Sequence, residues 1–166
     1  MRGTSTFLSK SIFSDYAKRR PFISTHTTHV QIFGAKTLVI PDLRVTKEAL
    51  FQSISSSAER WVPMVQVKDV ETRDYLRRMK RDGYTVVGLE QTSTSRCLTR
   101  VALPRKMLLL LGREKEGVPV ELLAEVDMLV EIPQLGLVRS LNVHVSASLI
   151  LWEYMRQHRF AGPVKE

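Results

Sequence analysis

The chain has 166 residues, of which 43% are hydrophobic and 25% are charged; this balance excludes a disordered chain, and the length suffices for one domain with its own core. No apolar run approaches the roughly 20 residues that a helix needs to span a bilayer, so we expect no membrane segment. The 25 Lys and Arg residues against 17 Asp and Glu residues give a formal net charge of +8, which indicates either a polyanionic partner or a basic surface that binds nothing.

The N-terminal segment, residues 1–29, differs in composition from the rest of the chain. It is rich in Ser and Thr and contains one acidic residue, Asp15, against five basic residues. We therefore predict a divergent basic segment over residues 1–29 that is poorly ordered, followed by a single folded domain over residues 30–166. An organelle transit peptide has a similar composition and is the alternative interpretation.

From residue 30 onward, short apolar runs alternate with segments of helical character. The predicted strands lie at 36–41, 65–67, 84–91, 106–112 and 128–133. The predicted helices lie at 46–54, 70–83, 118–126 and 141–159. Nearly unbroken apolar runs are typical of strands that are buried on both faces. The order β-α-β-α-β-β-α-β-α therefore predicts an α/β fold, with a mostly parallel sheet and helices on both faces.

Three residues mark helix ends in this pattern. Thr46 is the predicted N-cap of the helix at 46–54, because its hydroxyl can accept a hydrogen bond from the first turn. Gly83 is expected to end the preceding helical pattern, and Pro119 suits a first helical turn.

Three of the predicted strands end in loops of small or hydrogen-bonding residues. TSTS follows the strand at 84–91, GREKEG follows the strand at 106–112, and QLGLVRSLN follows the strand at 128–133. In open α/β sheets, ligands bind beyond the carboxyl ends of the strands. We therefore expect these three loops to form a binding site.

Five polar residues in the last two loops are candidates for function, and each has a structural alternative. Glu114 either orients a ligand or is an acid favoured by the dipole at a helix start. Ser140 and Asn142 precede the last helix, where one can cap the helix while the other faces a ligand. Arg113 and Arg139 either hold a phosphate or are solvated side chains.

The cysteine and histidine residues give no spacing that is typical of a metal site, and no metal is expected. The single cysteine, Cys97, fits a reducing compartment, so we expect a cytoplasmic protein, with the nucleus or the mitochondrion as alternatives. His26, His29, His144 and His158 are scattered along the chain without partner spacing, and no role is assigned to them.

Two longer stretches resemble a known family. "LLLLGREKEGVP" and "EIPQLGLVRSLNVHVSASLILWEY" are similar to the second and third motifs of the SpoU/TrmH-type RNA ribose 2′-O-methyltransferases, which belong to the SPOUT superfamily. "FGAKTLVI", "SAERWVPMVQVK" and "GYTVVGLEQT" resemble, more specifically, the C-terminal methyltransferase domain of the TAR RNA-binding protein 1 family. The resemblance covers about residues 30 to 158.

This resemblance implies a fold and a cofactor. The last helix is threaded through a loop and forms a C-terminal trefoil knot, the α/β knot of the superfamily. The three strand-end loops wrap S-adenosyl-L-methionine, whose adenosine is held largely by backbone groups. Carried onto this chain, the cofactor-binding positions are Leu89, Gly112, Ile132 and Leu141.

The resemblance also implies catalytic residues and partners. The motif glutamate, serine and asparagine fall on Glu114, Ser140 and Asn142. The implied activity is methylation of a ribose 2′-hydroxyl in RNA, with tRNA as the expected substrate, and it requires no metal. A homodimer that pairs through the C-terminal helix is implied as well.

One motif of the family is missing. Its first motif runs N-x-G-x-x-x-R-T before FGA, and counting back from FGA places Thr28 at the arginine position and Phe22 at the asparagine position. No clear apolar run in residues 1–27 predicts the strand that precedes this motif, and the best candidate, FLSKSIF, is a weak one. The chain is therefore either an RNA 2′-O-methyltransferase domain impaired by the loss of that arginine, or a catalytically inactive RNA-binding or scaffolding paralogue that keeps the knotted fold.

Overall fold

The computed structural model describes residues 5–8, 20–112, 117–137 and 141–160, with only the backbone of residues 5–8 and 20–23. Seven strands lie in this part of the chain: β1 Ser5–Leu8, β2 Thr37–Ile40, β3 Met64–Gln66, β4 Thr85–Leu89, β5 Arg96–Cys97, β6 Met107–Leu111 and β7 Met128–Glu131. Five α-helices accompany them: α1 Arg20–Ile32, α2 Ala49–Ser55, α3 Thr72–Arg81, α4 Val120–Leu123 and α5 Val143–His158. Among these helices, none has the length and apolar character that crossing a membrane requires.

All seven strands form one sheet in the order β3-β2-β1-β6-β4-β7-β5, and each neighbouring pair is parallel. The central strand β6 has the sequence MLLLL, and every one of its residues is buried. A strand covered on both faces needs apolar residues at successive positions rather than at alternate ones. The predicted α/β fold with a mostly parallel sheet is confirmed.

Helices cover both faces of the sheet, as predicted. On one face, Leu109 and Leu111 of β6 belong to a core cluster that includes buried residues of α1, α2 and α5. On the other face, Leu108 and Leu110 belong to a second cluster with residues of α3 and α4. Because successive side chains of a strand point to opposite faces, one apolar run contributes to both cores.

The N-terminal region differs from the prediction in two respects. The strand judged to be missing from residues 1–27 is present as β1, between β2 and β6, with Phe7 in register with Leu38 and Leu109. The sequence STFL is too short and too polar to stand out as an apolar run, but ladder hydrogen bonds use the backbone and not the side chains. The boundary predicted at residue 30 falls inside α1, so at least residues 20–29 continue into the domain.

Smaller differences concern helix starts. Thr46 does not begin a helix: it lies in a 3-10 segment, Leu43–Lys47, whose cap is Asp42, and α2 begins only at Ala49. The Thr46 hydroxyl donates to the backbone oxygen of Leu43 at 2.8 Å, which is a local turn rather than a cap. Gly83 follows α3 with a φ of 84°, as expected for a residue that ends a helix.

Candidate functional site

The three strand ends predicted to form a site are neighbours in the sheet. Leu89, the last residue of β4, is in register with Leu111 of β6 on one side and with Val130 of β7 on the other. Gly112 follows Leu111 directly, and Ile132 lies two residues after Val130. The parallel ladders therefore bring Leu89, Gly112 and Ile132 to the same edge of the sheet.

Glu90 ties the loops at these strand ends together. Its carboxylate oxygen Oε2 accepts a hydrogen bond from the backbone nitrogen of Val118 at 2.9 Å, in the segment that follows β6. Its backbone nitrogen donates to the oxygen of Val130 at 3.0 Å, and its backbone oxygen accepts from the Ser95 hydroxyl at 2.6 Å. No prediction from the sequence included Glu90, because it falls inside the predicted strand at 84–91, whereas β4 ends at Leu89.

Two glycines allow the segment after β6 to approach this edge closely. A Cβ on Gly112 would lie 2.4 Å from the carbonyl carbon of Gly117. A Cβ on Gly117, whose φ is +70°, would lie 2.6 Å from Oε1 of Glu90. Neither position tolerates a side chain without movement of the backbone or of Glu90.

Four of the predicted site residues lie outside the described residues. They are Arg113 and Glu114 in the loop after β6, and Arg139 and Ser140 in the loop after β7. The roles assigned to Glu114 and Ser140 stay predictions.

Asn142 is the N-cap of α5. Its Oδ1 accepts a hydrogen bond from the backbone nitrogen of His144 at 2.9 Å, which satisfies one of the free N–H groups of the first helical turn. The next residue, Val143, is buried in the core cluster against which Leu89 and Ile132 also pack. The start of α5 and two of the strand ends therefore share one apolar cluster.

An open cleft of about 510 Å³ lies beyond the ends of β4 and β7. Its described lining residues are mainly polar and come from both loops: Gln91, Thr92, Ser93, Glu131, Ile132, Pro133, Gln134 and Gly136. Ile132 is the only one of the four predicted cofactor-binding residues in this described lining; Leu89, Gly112 and Leu141 are not part of it. Leu141 precedes the N-cap of α5 and is 38% exposed.

Thr28, at the position of the missing arginine, lies in α1. Its hydroxyl donates to the backbone oxygen of Ser55 at 3.0 Å and is 3.5 Å from that of Ser24. This side chain connects α1 to the C-terminal end of α2, and it brings no positive charge to the position.

Three of the four histidines, which were interpreted from the sequence as scattered, lie together. The Nδ1 atoms of His26 and His144 are 3.1 Å apart, and Nδ1 of His29 is 3.0 Å from the hydroxyl of Ser148. The interpretation as scattered residues is wrong for these three. The packing of α1 against α5 places His26 next to His144, which lies 118 residues further along the chain. His158 lies elsewhere, with Nε2 2.9 Å from the backbone oxygen of Leu103.

Burial controls the protonation of this histidine cluster. It holds the pKa of His26 well below its usual value of 6.5, and the neighbouring His144 and His29 lower that pKa further. Burial, and then the charge of His29, lower the pKa of His144 to about 4. The pKa of His29 is lowered by burial as well, so all three imidazoles are neutral at pH 7.

Comparison with known proteins identifies the family. The model of the SpoU rRNA Methylase family matches residues 26–152. The tRNA (guanosine(18)-2′-O)-methyltransferase TARBP1 of Mus musculus is 49% identical over 127 residues, which are 76% of this chain and 8% of the mouse protein. The enzyme of the same descriptive name from Saccharomyces cerevisiae is 37% identical over 128 residues, 76% of this chain and 9% of the yeast protein.

Solved structures share the fold. The A. aeolicus TrmH/SpoU tRNA modifying enzyme has a TM-score of 0.75 at 23% identity, covering 95% of this chain and 76% of that chain. AviRb of Streptomyces viridochromogenes, solved in complex with AdoMet, has a TM-score of 0.75 at 22% identity, covering 98% of this chain and 60% of that chain.

The chain thus spans less than a tenth of the length of the mouse and yeast relatives. The family match covers most of this chain and includes the three strand-end segments and the first part of α5. The chain belongs to the SpoU methylase family.

Proposed function

We propose that this chain is an S-adenosyl-L-methionine-dependent RNA ribose 2′-O-methyltransferase domain that acts on tRNA. The observation that carries the proposal is the junction of the β4, β6 and β7 loops, tied by Glu90, beside a polar cleft in a chain of the SpoU family. The mouse and yeast relatives are tRNA (guanosine(18)-2′-O)-methyltransferases, which makes a tRNA guanosine the proposed acceptor.

The residues at the cleft fit a nucleoside cofactor. Its volume of about 510 Å³ lies within the roughly 300–1,000 Å³ that is usual for small-molecule sites. Gln91, Thr92, Ser93 and Gln134 supply hydrogen-bonding groups for the polar parts of such a ligand. Ile132 supplies an apolar contact.

We assign Leu89, Gly112, Ile132 and Leu141 to the adenosine of the cofactor. Three of these residues share one sheet edge, and the absence of a side chain at Gly112 keeps the segment after β6 close to that edge. When bound, S-adenosyl-L-methionine supplies an electrophilic methyl group. The protein then has to align a ribose hydroxyl with that group and to accept its proton.

Asn142 is a positioning group in this proposal. Its Oδ1 accepts the capping hydrogen bond, and its amide NH₂ offers two donors for a contact with RNA. An amide nitrogen donates hydrogen bonds and cannot accept the proton of the 2′-hydroxyl. Asn142 can therefore orient the acceptor oxygen, and the proton acceptor is a different group.

The charge of the chain supports RNA as the partner. The net charge of +8 favours binding to a phosphate backbone. Part of the basic surface is neutralised within the protein, because Arg73 and Arg77 contact Glu125 at 2.7 and 2.9 Å and Lys80 contacts Asp127 at 2.7 Å. These three side chains are therefore less available for contacts with phosphate groups than unpaired basic side chains are.

We further propose a homodimer that pairs through α5. Four apolar side chains near or on this helix are exposed at helical spacing: Leu141 (38%), Val145 (47%), Leu149 (39%) and Trp152 (52%). Residues at such a spacing lie on one face of a helix, and a second copy would cover this apolar stripe. A trefoil knot around α5 is part of the same proposal, supported by the likeness in fold to SpoU enzymes.

The competing function is an RNA-binding paralogue without methyl transfer, which Thr28 at the arginine position favours. Calorimetric titration with S-adenosyl-L-methionine, followed by a methyl-transfer assay on tRNA transcripts, separates the two. We expect binding and transfer, and no transfer to a transcript whose guanosine 18 carries a 2′-deoxyribose. Binding without transfer would favour the paralogue, and absence of binding would contradict the proposed cofactor.

A further inference from the structure

We propose that His26, His29 and His144 form a binding site for Zn²⁺ or a similar divalent transition-metal ion. The bound ion would link α1 to α5. Each histidine offers one ring nitrogen, and these nitrogens all lie within 4.8 Å of one another. Two of the ligands come from α1 and the third from the first turn of α5, so a bound ion would connect two helices that are far apart in the sequence. The argument for this site does not depend on the proposed methyl transfer.

The spacing of the nitrogens is close to that of a zinc site. In tetrahedral coordination, Zn–N bonds of about 2.0–2.1 Å place two nitrogen ligands about 3.3–3.4 Å apart. The Nδ1 atoms of His26 and His144 are 3.1 Å apart, and their ring centroids are 4.4 Å apart. The ring centroid of His29 lies 6.3 Å from that of His144, and its ligand nitrogen lies within 4.8 Å of those of the other two histidines.

Ser148 fixes the tautomer of His29 in the form that a metal ligand needs. Its hydroxyl donates to the backbone oxygen of His144 at 2.8 Å, and a carbonyl oxygen cannot donate in return. The same hydroxyl lies 3.0 Å from Nδ1 of His29 and therefore accepts a hydrogen bond from it. Nδ1 of His29 carries the proton, and the lone pair is on Nε2. Metal-binding histidines commonly have such an outer partner on the second nitrogen.

The surroundings of the cluster suit a cation that binds neutral imidazoles. The form of histidine that binds a metal ion is the neutral imidazole. His26 is fully buried, whereas His29 and His144 are half-buried and leave the cluster accessible from solvent. Imidazole is a preferred ligand of Zn²⁺, and three histidines leave a fourth position for water.

The test is titration of the full chain, freed of metal by a chelator, with Zn²⁺ in a calorimeter and with Co²⁺ in an absorption spectrometer. We expect one ion per chain, the visible absorption of four-coordinate cobalt, and a melting temperature that rises with Zn²⁺ because the ion binds the folded state. His29→Ala, which removes a half-buried ligand, should abolish the spectrum and the thermal shift. Ser148→Ala should weaken Zn²⁺ binding by about 10- to 100-fold.

His158→Ala is the matched control, because it removes a histidine of α5 that lies outside the cluster. It should leave the affinity and the stoichiometry unchanged. The proposal is overturned if His29→Ala binds Zn²⁺ as the unsubstituted chain does, if His158→Ala removes the binding, or if the unsubstituted chain binds no ion. Should His29→Ala fail to fold, the change produced by Ser148→Ala decides: an unchanged affinity contradicts the site.

Discussion

The carboxylate of Glu90 accepts a hydrogen bond from the backbone nitrogen of Val118 at 2.9 Å and so connects the end of β4 to the segment that returns after β6. Glu90 also lies where a side chain on Gly117 would be, which explains why that position has no Cβ. This contact determines the spacing between two of the three loops of the proposed cofactor site. Glu90, which is next to the predicted residue Leu89 but was not itself predicted, therefore connects two loops of the proposed site.

Substitution of Glu90 tests this arrangement. Glu90→Ala leaves the Val118 N–H without its acceptor, and we expect a loss of about 1–3 kcal/mol in the free energy of unfolding together with weaker S-adenosyl-L-methionine binding. Glu90→Gln keeps an acceptor oxygen and should retain most of both. Urea unfolding and calorimetry measure the two quantities, and equal behaviour of the Ala and Gln variants would contradict the role of the hydrogen bond.

Gly112→Ala is expected to damage the site through its backbone. The new Cβ would lie 2.4 Å from the carbonyl carbon of Gly117, so the segment after β6 must move outward, at a cost of about 1–3 kcal/mol. Cofactor affinity should fall with it. Gly136→Ala is the control for stability alone, because no atom lies within 4 Å of that added Cβ, while the residue itself lines the cleft. Similar melting temperatures for both variants would disprove the prediction.

Two substitutions of Asn142 separate its cap from its proposed contact with RNA. Asn142→Ala removes the oxygen that accepts from the His144 backbone and should cost about 0.5–2 kcal/mol of stability. Asn142→Asp keeps a capping oxygen and loses the amide NH₂, so stability should be retained while methyl transfer falls. Thermal melts and single-turnover transfer assays provide the comparison. Full activity in the Asp variant would mean that Asn142 acts only as a helix cap and makes no functional contact with RNA.

The histidine cluster should make folding stability depend on pH. The folded-state pKa values of His26, His29 and His144 lie below the usual 6.5, so the unfolded chain takes up protons that the folded chain excludes. Their contribution to stability is complete above pH 6.5 and is lost as the pH falls, towards about pH 4 for His144.

Urea unfolding between pH 7.5 and about 4.5, in the presence of a chelator, measures this loss, with the lower limit near the usual glutamate pKa of 4.5. The paired carboxylates Asp42, Glu125 and Glu153 have lowered pKa values and lose their contribution only at lower pH. His144→Gln should flatten the slope. A profile that is flat in the unsubstituted chain would contradict the prediction.

A single substitution to a charged residue tests the proposed dimer surface. Leu149→Glu places a carboxylate in the exposed apolar stripe of α5, and we expect it to convert a dimer into a monomer in sedimentation velocity. Val120→Glu, at an 80% exposed valine of α4, is the matched control and should not change the assembly. A monomer without any substitution, or a dimer that persists in Leu149→Glu, would exclude this surface.

The sequence predicted the parts of the fold that depend on local composition. Met107–Leu111 reads as a strand buried on both faces, and it is one; Gly83 follows α3 in the left-handed conformation, as expected. The neighbourhood of Leu89, Gly112 and Ile132 was also predictable, since parallel strands present their carboxyl ends at a common edge.

Features that depend on distant partners were beyond the sequence pattern. Ser5–Leu8 becomes a central strand through hydrogen bonds to two neighbours, and only two of its four residues are apolar, which is too short a run to predict a buried strand. The contacts of Glu90 and of the three histidines are also made with residues far along the chain. His26 and His144, for example, are separated by 118 positions. Periodicity reports how each segment is buried, whereas contacts between polar side chains arise only when the helices and strands pack. The sequence alone therefore determined the fold class, the strands that are buried on both faces and the family of the chain. The tertiary structure decided the place of β1 in the sheet and which polar groups meet, because both depend on distant partners.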